Sequence, residues 1–369
     1  DRAVCAALFE MACDASVARD AASGGVGRVS ALVTSCRRAP TSKQKPCPMN
    51  TVKLQLEAST HLRMPSERAM KVAEDLYSKG LLSYPRTETE RYGPDFDLQT
   101  LVGHQRGHAA WGRFAAQLQD VPGRFSFPRP GKDDDKAHPP IHPVALAQPD
   151  ALQGDEKRLY ELVTRHFLAT CSNDARGERT AVKALVGGEE FHTSGTMVTD
   201  RGYLDVYTYD SWKGSTIPVF LEGRRYAADV FTMKSGRTTA PAQLSQAELI
   251  KLMDREGIGT DATMATHIAT IQQRGYATCD PATLRFAATP LGLGLLDGYD
   301  AVGRHALTQP KIRAQQELDC KAIATSSRRK EDVLSDQKAA MKAIFQAVTS
   351  QNRTLVASAA KRLTAIGAG

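Results

Sequence analysis

PSERAMKVAEDLYSKGLLSYPRTETERYG, residues 65–93, holds two structural signals in succession. Met70, Ala73, Leu76 and Tyr77 recur at i, i+3, i+6 and i+7, one face of a 3.6-residue period. Ser66 stands where a helix is capped, and Gly80 where a left-handed C-terminal cap is expected. Pro85 then biases Tyr84 toward extended backbone. In an extended segment residues i and i+2 share a face, so Tyr84 and Arg86 would sit about 7 Å apart along the chain. A phenol beside a guanidinium suits nucleophilic attack on a phosphodiester, because the cation can hold a phosphate oxygen and favours the phenolate. The same spacing also fits a helix-to-loop transition with a buried tyrosine and a surface arginine.

Upstream, TVKLQLEAS (51–59) alternates Val52, Leu54 and Leu56, which by period alone is a strand. Residues 39–48 (APTSKQKPCP) form a polar, Pro-punctuated linker candidate. Residues 26–36 carry β-branched residues after a Gly-Gly break and read as a strand, and residues 3–13 read as a partly buried helix. Downstream, the prolines of 121–149 forbid a long helix there. A helix returns at 155–171 with Leu159, Leu162, Val163, His166 and Phe167 on one side. Residues 180–235 read as antiparallel β: AVKALV, a Gly-Gly turn, FHTSGTMVT and YLDVYTY. From 244 onward the chain is mostly helical, with a long helical tail from about 330.

Two further stretches could carry chemistry. In DDDKAHPPIHPV (133–144), His138 and His142 are four apart, but Pro139, Pro140 and Pro143 rule out a metal-binding helix. Lys136 and the two histidines could face a groove as phosphate ligands or proton donors. Asp133, Asp134 and Asp135 read as a solvated charge run. In EGIGTDATMATHIATIQQRGY (256–276), a Gly-x-Gly turn leads into a helix that Thr260 or Asp261 can cap. The unpaired N–H groups of such a helix start bind phosphate, although Asp261 is itself an anion. Arg274 near the helix end suits the dipole and could reach a phosphate. An ordinary capped helix explains this stretch equally well.

The chain has 369 residues, enough for two or three domains. Hydrophobic residues at 41% and charged residues at 24% argue against wholesale disorder. No run of about 18 apolar residues is present, so no membrane-spanning helix and no membrane partner is expected. The excess of 48 Lys and Arg over 41 Asp and Glu, +7, suits a polyanion-binding surface, though scattered lysines reach the same balance. The seven cysteines include no C-x-x-C, which excludes zinc-ribbon spacing. An odd count in a large chain reads as reduced, intracellular thiols. No GxxxxGK[ST] occurs, so ATP-driven chemistry is not expected.

The stretches KGLLSYPRTETE, DKAHPPIHP, LQGDEKRLYELVTRHFLATCSNDA, YLDVYTYD, AELIKLMDREGIGTDATMATHIATI and LGLGLLDGYD resemble, in order, the type IA DNA topoisomerases. Within them they are most similar to the eukaryotic topoisomerase III alpha group. The resemblance implies a multi-domain α+β core: a β gate domain interrupted by a helical, catabolite-activator-like domain carrying the tyrosine, followed by a helical domain. The corresponding bounds are 1–43 and 173–240 for the gate, 44–172 for the tyrosine domain and 241–369 for the C-terminal helical DNA-binding domain. It implies a helix over 51–57, against the period-two reading.

It also implies catalytic roles for Tyr84 as nucleophile, for Arg86 on the scissile phosphate and for His138. DNA contacts would come from Thr263 and Arg274, with Lys136, His142, Thr260 and Asp261 as weaker correspondences. Single-stranded DNA is the implied substrate, cleaved through a 5′-phosphotyrosyl link. A RecQ-family helicase, an OB-fold accessory protein and a nuclear (or mitochondrial) setting are implied as well. Magnesium is expected in an N-terminal Toprim domain that nothing in this chain resembles. The expectation is therefore a piece of a longer enzyme, with little cleavage by this chain alone. A non-catalytic single-stranded DNA-binding or scaffold module is the alternative. A tyrosine recombinase fits less well, because its tyrosine lies near the C-terminus.

Overall fold

The computed structural model describes residues 2–22, 24, 27–148 and 150–364. The chain forms two compact units. One comprises Asp1–Pro46, Val121–Phe127 and Leu168–Pro241; the other comprises Cys47–Asp120, Pro128–Phe167 and Ala242–Gly369. The helical stretches separated in the sequence reading, 44–172 and 241–369, thus fall largely within one unit.

The first unit is a helix and a sheet. Helix α1 (Arg2–Ala22) extends well beyond the expected 3–13. It buries Ala12 and Ser16, and the Ser16 hydroxyl both donates to the Ser30 carbonyl and accepts the Ser30 amide, each at 2.9 Å. Strands β1 (Ser30–Lys43), β2 (Ala175–Val186), β3 (Glu189–Asp200) and β4 (Arg225–Ala227) pair antiparallel in the order β3-β2-β1-β4. Of the strand expected over 26–36, Val26 lies outside the described residues. Gly187 and Gly188 join β2 to β3 with φ of +63° and +115°. A two-residue hairpin turn of this hand favours glycine, and a Cβ at Gly187 would also lie 2.0 Å from the Ala12 carbonyl oxygen.

Two expectations fail in this unit. Residues 39–43 are not linker but the end of β1. Pro40 is tolerated because β4 pairs only with Ser30–Leu32, which leaves that side of β1 unpaired around Pro40, where no N–H is needed. YLDVYTY is not a strand: Gly202–Asp205 is a 3-10 turn with Tyr203, Leu204, Val206 and Tyr207 buried. Its amides close locally, Val206 and Tyr207 both onto the Tyr203 carbonyl, so an apolar run is buried without a ladder. Lys45 holds Val121–Phe127 in this unit. Its buried ammonium donates to the Ser126 carbonyl (2.9 Å), the Ser126 hydroxyl (3.1 Å) and the Phe127 carbonyl (2.9 Å).

The second unit is helical. It contains α2 (Thr51–Leu62), α3 (Ser66–Ser78), α4 (Leu98–His104), α5 (Gly112–Asp120), α6 (Gly154–Thr170, through Phe167), α7 (Gln246–Arg255) and α8 (Met264–Gln273). A hairpin of β5 (Ala277–Cys279) and β6 (Phe286–Ala288), too short to show a period, leads to α9 (Pro290–Ala301) and α10 (Lys311–Ala324). The tail is two helices, α11 (Lys330–Ser350) and α12 (Asn352–Thr364). Among the described residues no helix is long and apolar enough to cross a membrane. All seven cysteines are free thiols.

Residues 51–62 are helical because two apolar faces are satisfied at once. Leu54, Ala58 and Leu62, four apart, are buried, while Val52 and Leu56 pack against Ile250, Met253, Met264 and Ile268 of α7 and α8. The two stripes interleave into a false alternation. The Asn50 side chain caps this helix by accepting the Lys53 amide at 2.8 Å. Helix α3 starts one residue earlier than expected: Pro65 is the N-cap and Ser66 the first helical residue. Its end is as the sequence signals. Gly80 has φ +71°, its amide donates to the Tyr77 carbonyl, and the Leu81 amide donates to that of Leu76.

Candidate active site

Three backbone attachments fix the segment that carries Tyr84. Before it, the Ser83 amide donates to the His142 carbonyl and the Val144 amide to that of Leu81, a short antiparallel pairing. After it, the Thr51 amide at the start of α2 donates to the Thr87 carbonyl (3.0 Å), and the Thr51 hydroxyl donates to the Pro85 carbonyl (2.7 Å). The Thr87 amide in turn donates to the Thr51 hydroxyl at 2.8 Å. A helix N-terminus has unpaired amides, and this loop supplies a carbonyl to one of them.

The half-buried Tyr84 ring lies 4.8 Å from the His138 ring, tilted 40°, and meets Tyr77 of α3 edge-on at 5.4 Å. Arg86 is oriented by α3 too: Nε and Nη2 donate to Glu74 Oε1 at 2.9 and 2.6 Å. Its Nη1 donates to the Ala262 carbonyl at 3.2 Å, in the turn before α8. Three of the five guanidinium N–H groups are thereby engaged, and one on each terminal nitrogen remains for a phosphate oxygen.

Asp135 ties this segment to the loop that bears His138. One carboxylate oxygen accepts the Thr87 hydroxyl (3.0 Å) and the Glu88 amide (3.3 Å). The other accepts the Thr89 hydroxyl (2.9 Å) and the amides of Ala137 (2.8 Å) and His138 (2.9 Å). Partial burial acts to raise the pKa of Asp135, but the His138 and Ala137 amides and the Thr89 and Thr87 hydroxyls hold it well below the usual carboxylate range. Asp135 is therefore not part of a solvated acidic run.

Two clefts flank this segment within the unit. One, of about 500 Å³, is lined by Thr89, Arg91, Phe96, Lys136, His138 and Pro139, among others. The other, of about 380 Å³, is lined by Thr87, Thr260 and six acids, Glu88, Asp133, Asp254, Glu256, Asp261 and Glu317, against Arg255 and Lys321. Burial and the neighbouring Asp133 push the Asp254 carboxyl up, partly offset by Lys132.

A family model described as DNA topoisomerase matches residues 12–335. The chain belongs to the DNA topoisomerase family. The DNA topoisomerase 3-alpha of Drosophila melanogaster is 42% identical over 334 residues, which cover 90% of this chain and 26% of that protein. The Caenorhabditis elegans DNA topoisomerase 3 is 43% identical over 315 residues, covering 85% and 41%. Human DNA topoisomerase 3-alpha is 42% identical over 315 residues, covering 85% and 31%. The chain thus spans less than half the length of these relatives. Full-length topoisomerase I from Thermotoga maritima superposes with a TM-score of 0.70 over 86% of this chain and 53% of its own, at 21% identity. That likeness shows the multi-domain α+β core of the type IA topoisomerases.

In this topoisomerase chain Tyr84, Arg86 and His138 lie together, and the remaining sequence candidates divide. Lys136 is exposed beside His138, with a left-handed φ of +56°. His142 is not at a surface. It is 5% exposed, its Nδ1 lies 2.7 Å from the Pro140 carbonyl oxygen, and Tyr92, Phe96 and Phe167 surround the ring. Burial pushes its pKa down, so it is a neutral core histidine and the expected DNA contact is corrected. Thr260 and Thr263 turn their hydroxyls on each other at 3.3 Å, and the Thr263 hydroxyl accepts the Thr260 amide. Neither Thr260 nor Asp261 is the N-cap of α8; Thr263 holds that place without a side-chain cap. Asp261 lines the acid-rich cleft. Arg274 is exposed at the far end of α8, about 15 Å from its start by helical rise.

The sequence reading missed Glu74, Tyr77 and Asp135. Glu74 and Tyr77 carry no local mark, since each meets its partner by tertiary placement. Asp135 did carry one: an aspartate followed by amides two and three residues on is the signature of an Asx turn.

Proposed function

We propose that this chain supplies the strand-breaking tyrosine of a type IA topoisomerase III acting on single-stranded DNA. The placement of Tyr84 carries this reading: its ring contacts His138, and it stands two residues from an arginine locked in orientation by Glu74. The phenol oxygen attacks phosphorus, and the P–O3′ bond breaks as the O–P bond forms. The phenol proton is lost, and the departing 3′ oxygen ends as a hydroxyl. The phosphate remains a diester throughout, so resealing by the reverse step needs no nucleoside triphosphate. The two remaining Arg86 donors stabilise charge that grows on the non-bridging oxygens.

Magnesium, a RecQ-family helicase, an OB-fold accessory protein, recombination and repair intermediates as substrates, and a nuclear or mitochondrial setting are proposed on the resemblance alone. Among the described residues no group of three or more His, Cys, Asp or Glu could hold a metal ion.

The test exchanges this chain for the matching segment of human DNA topoisomerase 3-alpha. The chimera is mixed with an end-labelled single-stranded oligonucleotide and denatured rapidly. The expected covalent adduct maps to Tyr84 by peptide sequencing, and Tyr84→Phe abolishes it while oligonucleotide binding persists. An adduct on another residue, or one that survives the substitution, refutes the assignment.

A further inference from the structure

The two clefts beside the catalytic segment have opposite electrostatic character. Thr87 and Glu88 line the one with six carboxylates against two cations, which repels a phosphate chain. Thr89 lines the other, where Arg91, Lys136 and His138 stand against Asp134 alone. The His138 ring is shared between this second cleft and Tyr84.

Three details mark the second cleft as built for an anionic, partly aromatic ligand. Lys136 is exposed, and its ammonium meets no partner among the described residues, although its φ of +56° disfavours any residue with a Cβ. Glycine or asparagine would fit that backbone better, and a cationic side chain stands there instead. Arg91 lines the cleft as a further cation, held in place by its Nη2 donating to the Gly131 and Lys132 carbonyls at 2.9 and 2.8 Å. Phe96 is half-buried in the cleft wall, its ring backed by Tyr92 at 4.9 Å and His142 at 5.4 Å. A rigid, backed ring beside cations is how single strands are held without sequence readout.

We propose that this cleft is a nucleotide subsite, holding the unpaired nucleotide next to the phosphodiester at Tyr84. Its phosphate sits on Lys136 and its base stacks on Phe96. This rests on the function proposed above and adds the direction of the strand, away from the acid-rich cleft.

The test uses the 369-residue chain as Tyr84→Phe, so that scission plays no part. Oligonucleotides with one 5-iodouracil at successive positions are irradiated in complex, and the cross-linked peptides are sequenced. Cross-links within residues 91–96 and 136–139 are expected. Lys136→Gly, which relieves the backbone, is expected to weaken binding about 3–10-fold at low salt. It should also lower the steepness of the log affinity against log salt plot by about 0.7, the contribution of one phosphate contact on a single strand. Its melting temperature should be no lower than the parent's. Cross-links confined to 254–261 and 317–321, an unchanged salt dependence or absence of binding overturns the subsite. An adduct at Tyr84 in the chimera, together with cross-links elsewhere, removes the subsite and leaves the catalytic reading intact. Cross-links at 91–96 without any adduct in the chimera support the subsite and count against the catalytic reading.

Discussion

The unit that carries Tyr84 should lose stability in mild acid through His166. This histidine is fully buried on α6. Burial, with help from Lys53 and against the pull of Glu57, pushes its pKa down to about 3, from an ordinary 6.5. The folded state therefore binds the proton less readily than the unfolded chain, and stability is present above pH 6.5 and lost as pH falls toward 3. Within that window the slope approaches about 1.4 kcal/mol per pH unit for one proton. Between pH 7 and pH 5 the loss is about 2 kcal/mol, or a melting temperature lower by about 4–8 °C for a unit of this size. His142, also depressed by burial, adds to the slope with the same sign. Urea unfolding at pH 7, 6 and 5 measures this directly. His166→Gln removes the titrating ring, so its stability should fall about one proton less steeply over the same range, whatever its absolute stability. A parent protein equally stable at pH 7 and 5, or a variant with the parent's slope, refutes the reasoning.

Asp135→Asn should slow adduct formation in the chimera by about 10–100-fold with oligonucleotide affinity little changed, because the amide cannot accept on both sides of the latch. A structural defect would instead lower the fraction of protein that reacts at an unaltered rate, so single-turnover amplitude and rate constant separate the two. Arg86→Ala should cost about 10²–10³ in the same rate constant, since its free donors act on charge that appears only in the transition state. An equal loss of affinity would contradict that role. Glu74→Gln should change unfolding free energy by no more than about 1 kcal/mol, as its pair with Arg86 is partly exposed. It should nevertheless reduce the adduct rate by loosening the guanidinium, and a rate unchanged in this variant would show that Arg86 needs no such hold.

Helix α3 with its Gly80 stop, the glycine hairpin between β2 and β3 and the kinship of the Tyr84 and His138 motifs were all legible in the sequence. Each depends on residues a few positions apart, where backbone sterics and local hydrogen bonds act whatever the rest of the chain does. Tertiary structure decided the remainder. The false alternation of Val52, Leu54 and Leu56 resolves only because cores lie on two sides of α2. Pro40 stays in a strand because that side of β1 is left unpaired around it, and Tyr203–Tyr207 is buried without a ladder. His142, which the resemblance offered as a weaker DNA contact, is enclosed by rings from distant segments. The hold of Glu74 on Arg86 spans 12 residues, and that of Asp135 on Thr87 and Thr89 spans 48 and 46. Such contacts leave no periodic mark, because burial and electrostatic complementarity depend on which segments folding brings within a few ångströms.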